Sequence, residues 1–190
     1  MGLAQKRDRR YSYKDYLTWP DEERWEIIDG TAYNMSPAPT LKHQDIAGTM
    51  YSRLREAAIA KGCKAYIAPT DVVFDDFNVV QPDVLVVCDK TKITEKNIQG
   101  APDLIVEVLS PATESKDRRE KWRLYERFGV KDYIMVSPEG EFLEHYTLKD
   151  GRYSDFQLFT WDETMTIESL CITLNLWDIF GKAKEGEGEA

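Results

Sequence analysis

Cysteine and histidine are scarce in this chain, with three Cys and two His in 190 residues. Cys63, Cys88 and Cys171 form an odd set without metal-ligand spacing, which argues against a zinc site. Each lies in or beside an apolar segment, so reduced core or near-core thiols in a cytoplasmic protein are the expectation. No apolar run approaches the ~20 residues of a membrane span. Met1 to Arg10 is charged and has no apolar stretch behind it, unlike a secretory leader. Gly-x-Ser-x-Gly, Walker A and dinucleotide-type glycine loops are missing too, which removes the commonest hydrolase and nucleotide-binding signatures.

What is present is a core-forming composition, 42% hydrophobic and 12% aromatic, ordinary for a globular chain. The expectation is a single domain over residues 11–180, with flexible segments at 1–10 and 181–190. A formal charge of −9 argues against a general nucleic-acid coat protein. It leaves a nuclease open, because local charge decides that chemistry. Lys6, Arg7, Arg9 and Arg10 against Asp8 read as a solvated run, with phosphate contact as the alternative.

Along the chain, Tyr11 to Thr18 reads as a short helix with Ser12 as cap. Asp29-Gly30 joins two short strands in a hairpin. Thr40 to Lys61 carries a helical stripe of Ile46, Ala47, Met50, Tyr51, Leu54, Ala57 and Ala58, with His43 in its first turn. Strands follow at 64–68, 71–74, 83–88 and 104–109, with a polar connection over 89–102. A helix over 114–128 ends at Gly129, and further strands and a short helix close the chain. This order predicts an α/β fold with a mixed sheet.

The chemistry sits in two very apolar strands. Asp83 opens Asp83-Val84-Leu85-Val86-Val87, and Glu107 interrupts Leu104-Ile105-Val106-Glu107-Val108-Leu109. Such strands are normally covered on both faces, and an ionised carboxylate there is costly unless paired or metal-bound. If the strands are neighbours, alternation lets the two acids approach. Two carboxylates ~4 Å apart repel by ~4 kcal/mol at an effective dielectric of ~20. Oxygen-only ligands favour Mg²⁺ or Mn²⁺, with the Val108 carbonyl as a further ligand.

A helical wheel over 114–128 places Asp117 and Lys121 within the apolar arc of Leu124, Tyr125 and Phe128. Lys116, Arg119, Arg123 and Arg127 fall on the far, wet side. An Asp117–Lys121 pair is the plain reading. The sharper one points Lys121 at Glu107, to stabilise developing charge or orient an attacking water. Asp103 lies four residues before Glu107, ~13 Å along a strand, so a turn or cap role suits it. His43 is either a hydrogen-bonded helix residue or a phosphate- or water-contacting one. Glu26 is a weaker candidate, and His145 has no evident role.

Pro82-Asp83 followed by Glu107-Val108-Leu109 resembles the PD-(D/E)XK nuclease signature. More narrowly, the chain resembles the bacterial "putative restriction endonuclease" family. The matching stretches are Trp25-Glu26-Ile27-Ile28-Asp29-Gly30, Met35-Ser36-Pro37-Ala38-Pro39 with His43, Gln81-Pro82-Asp83, Gly100 to Pro111, Asp117 with Lys121, and Tyr125 with Gly129-Val130. The resemblance implies a restriction-endonuclease-like core, αβββαβ, with an N-terminal hairpin and extra C-terminal strands. It implies a Mg²⁺-dependent site with Asp83 and Glu107 as ligands and DNA as substrate. RNA is left open, and a homodimer is the expectation for cutting two strands. One departure is Leu109, where the superfamily lysine belongs; Lys121 fits a relocation to the following helix. The competing function is a catalytically inactive nucleic-acid-binding or assembly module on the same scaffold.

Overall fold

The computed structural model describes residues 5–183, apart from 7–8, 21, 36–37 and 154–155. The main sheet contains β4 (Lys64–Ile67), β7 (Val84–Val87), β9 (Leu104–Val108), β10 (Asp132–Ser137) and β11 (Phe142–Lys149). Their order is β11-β10-β9-β7-β4, extended beyond β11 by β12 (Arg152–Tyr153) and β13 (Gln157–Thr160). β4, β7 and β9 are antiparallel neighbours, and β10 runs parallel to β9. A parallel neighbour needs a crossover, and the helical segment 114–128 supplies it. With helix α2 (Leu41–Ala60) ahead of β4, this is the αβββαβ core in a mixed sheet.

Both faces of the central strands β7 and β9 are covered, so these strands are apolar apart from Glu107. Val84, Val86, Val106 and Val108 pack on one side with Met50 and Leu54 of α2. Leu85, Val87, Ile105 and Leu109 pack on the other with Leu124 and Tyr125. The period-2 alternation of the strands makes this division. α2 is capped by the Thr40 hydroxyl, which accepts from the His43 backbone N–H. Gly62 follows at φ 72°, a left-handed position that relieves the helix end. The short helix α1 (Tyr13–Tyr16) has a reciprocal Ser12/Asp15 capping box.

The hairpin β2 (Trp25–Ile28) and β3 (Thr31–Asn34) forms around Asp29-Gly30. It belongs to a second sheet, ordered β1-β3-β2-β6-β5-β8. β5 (Val72–Asp75) turns into β6 (Asn78–Val80), and β8 (Ile98–Gln99) lies within the connection read as polar. β1 (Gln5–Lys6) pairs with β3, so part of the expected flexible N-terminal segment is a strand. Arg9 pairs with Asp15 at 2.8 Å, and Arg10 lies over the Phe77 ring at 3.7 Å. The structure therefore engages these two arginines internally. Residues 184–190 of the expected C-terminal tail, and Ser36-Pro37 of the matching motif, lie outside the described residues. A small hairpin, β14 (Thr164–Ile167) and β15 (Ile172–Asn175), then leads to α5 (Leu176–Ile179).

The expectation of three reduced thiols is corrected. Cys63 and Cys88 form a disulfide. The β4–β7 register pairs Lys64 with Val87, which places the flanking cysteines opposite one another. Cys171 is free and exposed, with the Lys61 ammonium 3.0 Å from its sulfur. Among the described residues, no helix is long and apolar enough to cross a membrane.

Candidate active site

β7 and β9 are neighbours, and their register pairs Val84 with Val106. One step further, Asp83 comes level with Glu107, on the face shared by Leu85 and Ile105. The two acids are therefore held together by backbone pairing. Asp83 is fixed twice over. Its Oδ2 accepts from the Val108 N–H at 2.8 Å, and its Oδ1 lies 3.1 Å from His43 Nε2. His43 thus reaches the site from α2, while its Nδ1 is buried without a hydrogen-bond partner.

Glu107 is buried and receives two donors on one oxygen. Lys121 Nζ donates to Oε1 at 2.8 Å and the Tyr125 hydroxyl at 2.6 Å. Lys121 also lies 2.8 Å from Glu26 Oε1 and 3.6 Å from Asp117 Oδ1. Lys121 is buried rather than at the rim, and its ammonium contacts both Asp117 and Glu107, the partners that the two readings name. Glu26 is wholly buried and takes Lys116 on its second oxygen, plus the Gln81 backbone N–H at 3.0 Å. It therefore joins β2, the Gln81-Pro82-Asp83 segment and both lysines.

Lys116 is a correction to the wheel, which puts it on the wet face. The helix is not uniformly α: it runs α3 (Glu114–Lys116), a π-helical stretch (Asp117–Lys121), then α4 (Trp122–Phe128). In an α-helix residues five apart point about 140° away from each other. A π turn closes at five residues instead, so Lys116 and Lys121 share a face and reach the same glutamate. Asp103 lies away from this cluster, as expected. It accepts from the Cys88 N–H at 2.7 Å and pairs with Lys131 at 2.8 Å. His145 is bonded to Asp132 at 2.8 Å on another part of the sheet.

Three carboxylates, Glu26, Glu107 and Asp117, thus meet the ammonium groups of Lys116 and Lys121, with Asp83 beside Glu107 as a fourth. Burial raises the Glu107 carboxyl, Lys121 opposes this, and the charges of Asp117, Asp83 and Glu26 add to the rise, to about 8. Burial also pushes Glu26 up, but Lys116 and Lys121 outweigh it and bring it to about 2. Burial raises Asp117 against the same two lysines. Two ammonium groups cannot neutralise every carboxylate here, and the raised Glu107 and Asp117 carboxyls answer this by favouring their protonated forms. Glu26, Tyr125 and Lys116 are the participants that sequence reading underrates. The signals for Glu26 are an acid among apolar residues and its place in the Trp25-to-Gly30 stretch that carries the resemblance.

Asp83, Glu107, Val108, His43, Lys116 and Lys121 line one pocket of about 480 Å³. Among the described residues, no group of three or more His, Cys, Asp or Glu is spaced to hold a metal. Two carboxylates and a backbone carbonyl form a smaller donor set. The crowding of carboxyls that favours protonated Glu107 and the placement of its Lys121 and Tyr125 hydrogen bonds on Oε1 fit a divalent cation bound through oxygen.

A mixed sheet with helices on both faces, and paired acids at the start of one strand and in its neighbour, is the architecture of the restriction-endonuclease-like class. The Uma2 family model, described as "Putative restriction endonuclease", matches residues 13–176, so the chain belongs to that family. It is 31% identical over 148 residues to "Uncharacterized protein slr1290" of Synechocystis sp. (strain ATCC 27184 / PCC 6803 / Kazusa), covering 74% of this chain and 76% of that relative. The fold is similar to a crystal structure from Anabaena variabilis ATCC 29413, described as "a putative nuclease belonging to DUF820". That likeness has a TM-score of 0.74 at 20% identity and covers 90% of this chain and 97% of the other. At such identity it establishes the fold alone.

Proposed function

We propose that this chain hydrolyses phosphodiester bonds in DNA with Mg²⁺ or Mn²⁺. Asp83, Glu107 and the Val108 carbonyl would hold the cation. The observation that carries this reading is the backbone register, which sets Asp83 level with Glu107 in strands otherwise given over to core. A bound cation would polarise the phosphate and lower the pKa of an attacking water.

The chain's own residues supply the rest. Asp83 is kept in place by the Val108 N–H and His43. Lys121 stands with its ammonium on Glu107, placed to steady negative charge developing on a phosphate oxygen. With Glu107 engaged by a cation, Glu26 would still hold Lys121 in position through their 2.8 Å contact. Leu109, buried in the core where the superfamily lysine would sit, leaves Lys121 as the nearest candidate for that role.

The reading is tested by incubating plasmid, linear duplex and single-stranded DNA with wild type, Asp83→Ala and Glu107→Ala in Mg²⁺ or Mn²⁺. Cleavage by wild type alone supports it. Equal cleavage by all three proteins contradicts it.

A further inference from the structure

The pocket that holds the carboxylates has a second character. Its charged lining includes Arg24, Asp83, Glu107, Lys116 at the end of α3, and Asp117 and Lys121 of the π-helical stretch. On another side it is lined by Met35 and Pro39, by Ala47 of α2 and by Ile67 at the end of β4. Its volume of about 480 Å³ falls in the ~300–1,000 Å³ range of pockets that enclose a small ligand.

A paired duplex has little use for such a lining. It offers phosphates and groove edges, keeps its base faces stacked inside, and is gripped mainly by cationic surface. An unpaired nucleotide offers a phosphate and a free base face together, and proteins meet that face with apolar or aromatic side chains. The formal charge of −9 gives no general cationic footprint for tracking a duplex, and at the pocket Lys116 and Lys121 are already paired with Glu26 and Glu107, so a phosphate there would rely on the proposed cation.

We infer that this pocket takes one unpaired nucleotide of a DNA strand, with its phosphate at the Asp83/Glu107/Lys121 cluster and its base against Met35, Pro39, Ala47 and Ile67. The substrate class is thus a single strand, a frayed end or an unpaired tail rather than an intact duplex. This deepens the nuclease reading and rests on it.

The test is fluorescence anisotropy with Ca²⁺ in place of Mg²⁺, using a short single strand, the same sequence as a blunt duplex, and that duplex with an unpaired tail. Cleavage in Mg²⁺ is measured on the same three. The unpaired forms are expected to bind roughly tenfold tighter than the blunt duplex, the scale of one base packed on a side-chain surface. Ile67→Ser is expected to remove most of that preference and leave duplex binding unchanged. Ile67 is 37% exposed, so the fold tolerates the change; Pro39→Ser, also at an exposed position, is the second variant. Equal affinity for paired and unpaired forms overturns the inference, and so does a preference that both variants keep. If equal affinity comes with duplex cleavage, the nuclease reading stands and this one falls. If no DNA is bound or cut, both fall.

Discussion

Glu26 of β2 and Lys121 of the π-helical stretch meet at 2.8 Å in a part of the protein where Glu26 has no solvent exposure. Lys116 closes on the other oxygen of the same carboxylate. Breaking a buried pair strands the remaining charge and costs about 3–5 kcal/mol. Glu26→Gln is therefore expected to lower the unfolding free energy by about that amount in urea titrations. A loss under ~1 kcal/mol, the scale of an exposed pair, would contradict the role.

Lys121→Met should separate chemistry from metal binding. Loss of one preorganised charge-stabilising group costs roughly 10²–10³ in turnover. Asp83 and Glu107 remain in the variant, so Mn²⁺ affinity should survive. Full cleavage by Lys121→Met would remove it from the mechanism.

The two glutamates impose opposite pH dependences on stability. Glu26 is held at about 2, below its unfolded value, so its contribution is present above the ordinary carboxylate range and is lost as pH falls through about 2. Glu107 is raised to about 8, mainly by burial. The fold then prefers its protonated form, and its contribution is lost as pH rises from the ordinary range through about 8. Metal-free protein should lose stability between pH 5 and 8 in a manner that Glu107→Gln flattens. An unchanged slope in that variant would assign the pH dependence elsewhere.

The Cys63–Cys88 bond closes a loop with a sequence separation of 25. Chain-entropy arguments give a bridge over such a loop about 3 kcal/mol. Reduction, or Cys63→Ser, should lower stability by that order, read from the denaturation midpoint with and without dithiothreitol. An unchanged midpoint would show that the β4–β7 pairing is self-sufficient.

The sequence made the two acids legible because their strands are otherwise apolar, and a carboxylate in such a strand needs a reason. It made Lys121 legible because a uniform wheel already puts that residue on the core face. The same wheel loses Lys116, since the π-helical stretch changes the angular step just where the second lysine sits. Glu26 is underrated for a different reason: its hairpin enters a separate sheet, and only the packing of the two sheets brings it to the lysines. The cysteine pair depends on the register of β4 against β7, strands separated by β5 and β6 in sequence. Local periodicity carries no information about that non-local pairing.

The central claim is that Asp83 and Glu107 share a divalent cation. Calorimetric titration of Mn²⁺ into wild type, Asp83→Ala and Glu107→Ala near neutral pH, repeated with DNA present, addresses it most directly. The account predicts saturable binding by wild type that is lost in both variants. Binding that persists unchanged in Glu107→Ala, or no binding by folded wild type even with DNA, would contradict it.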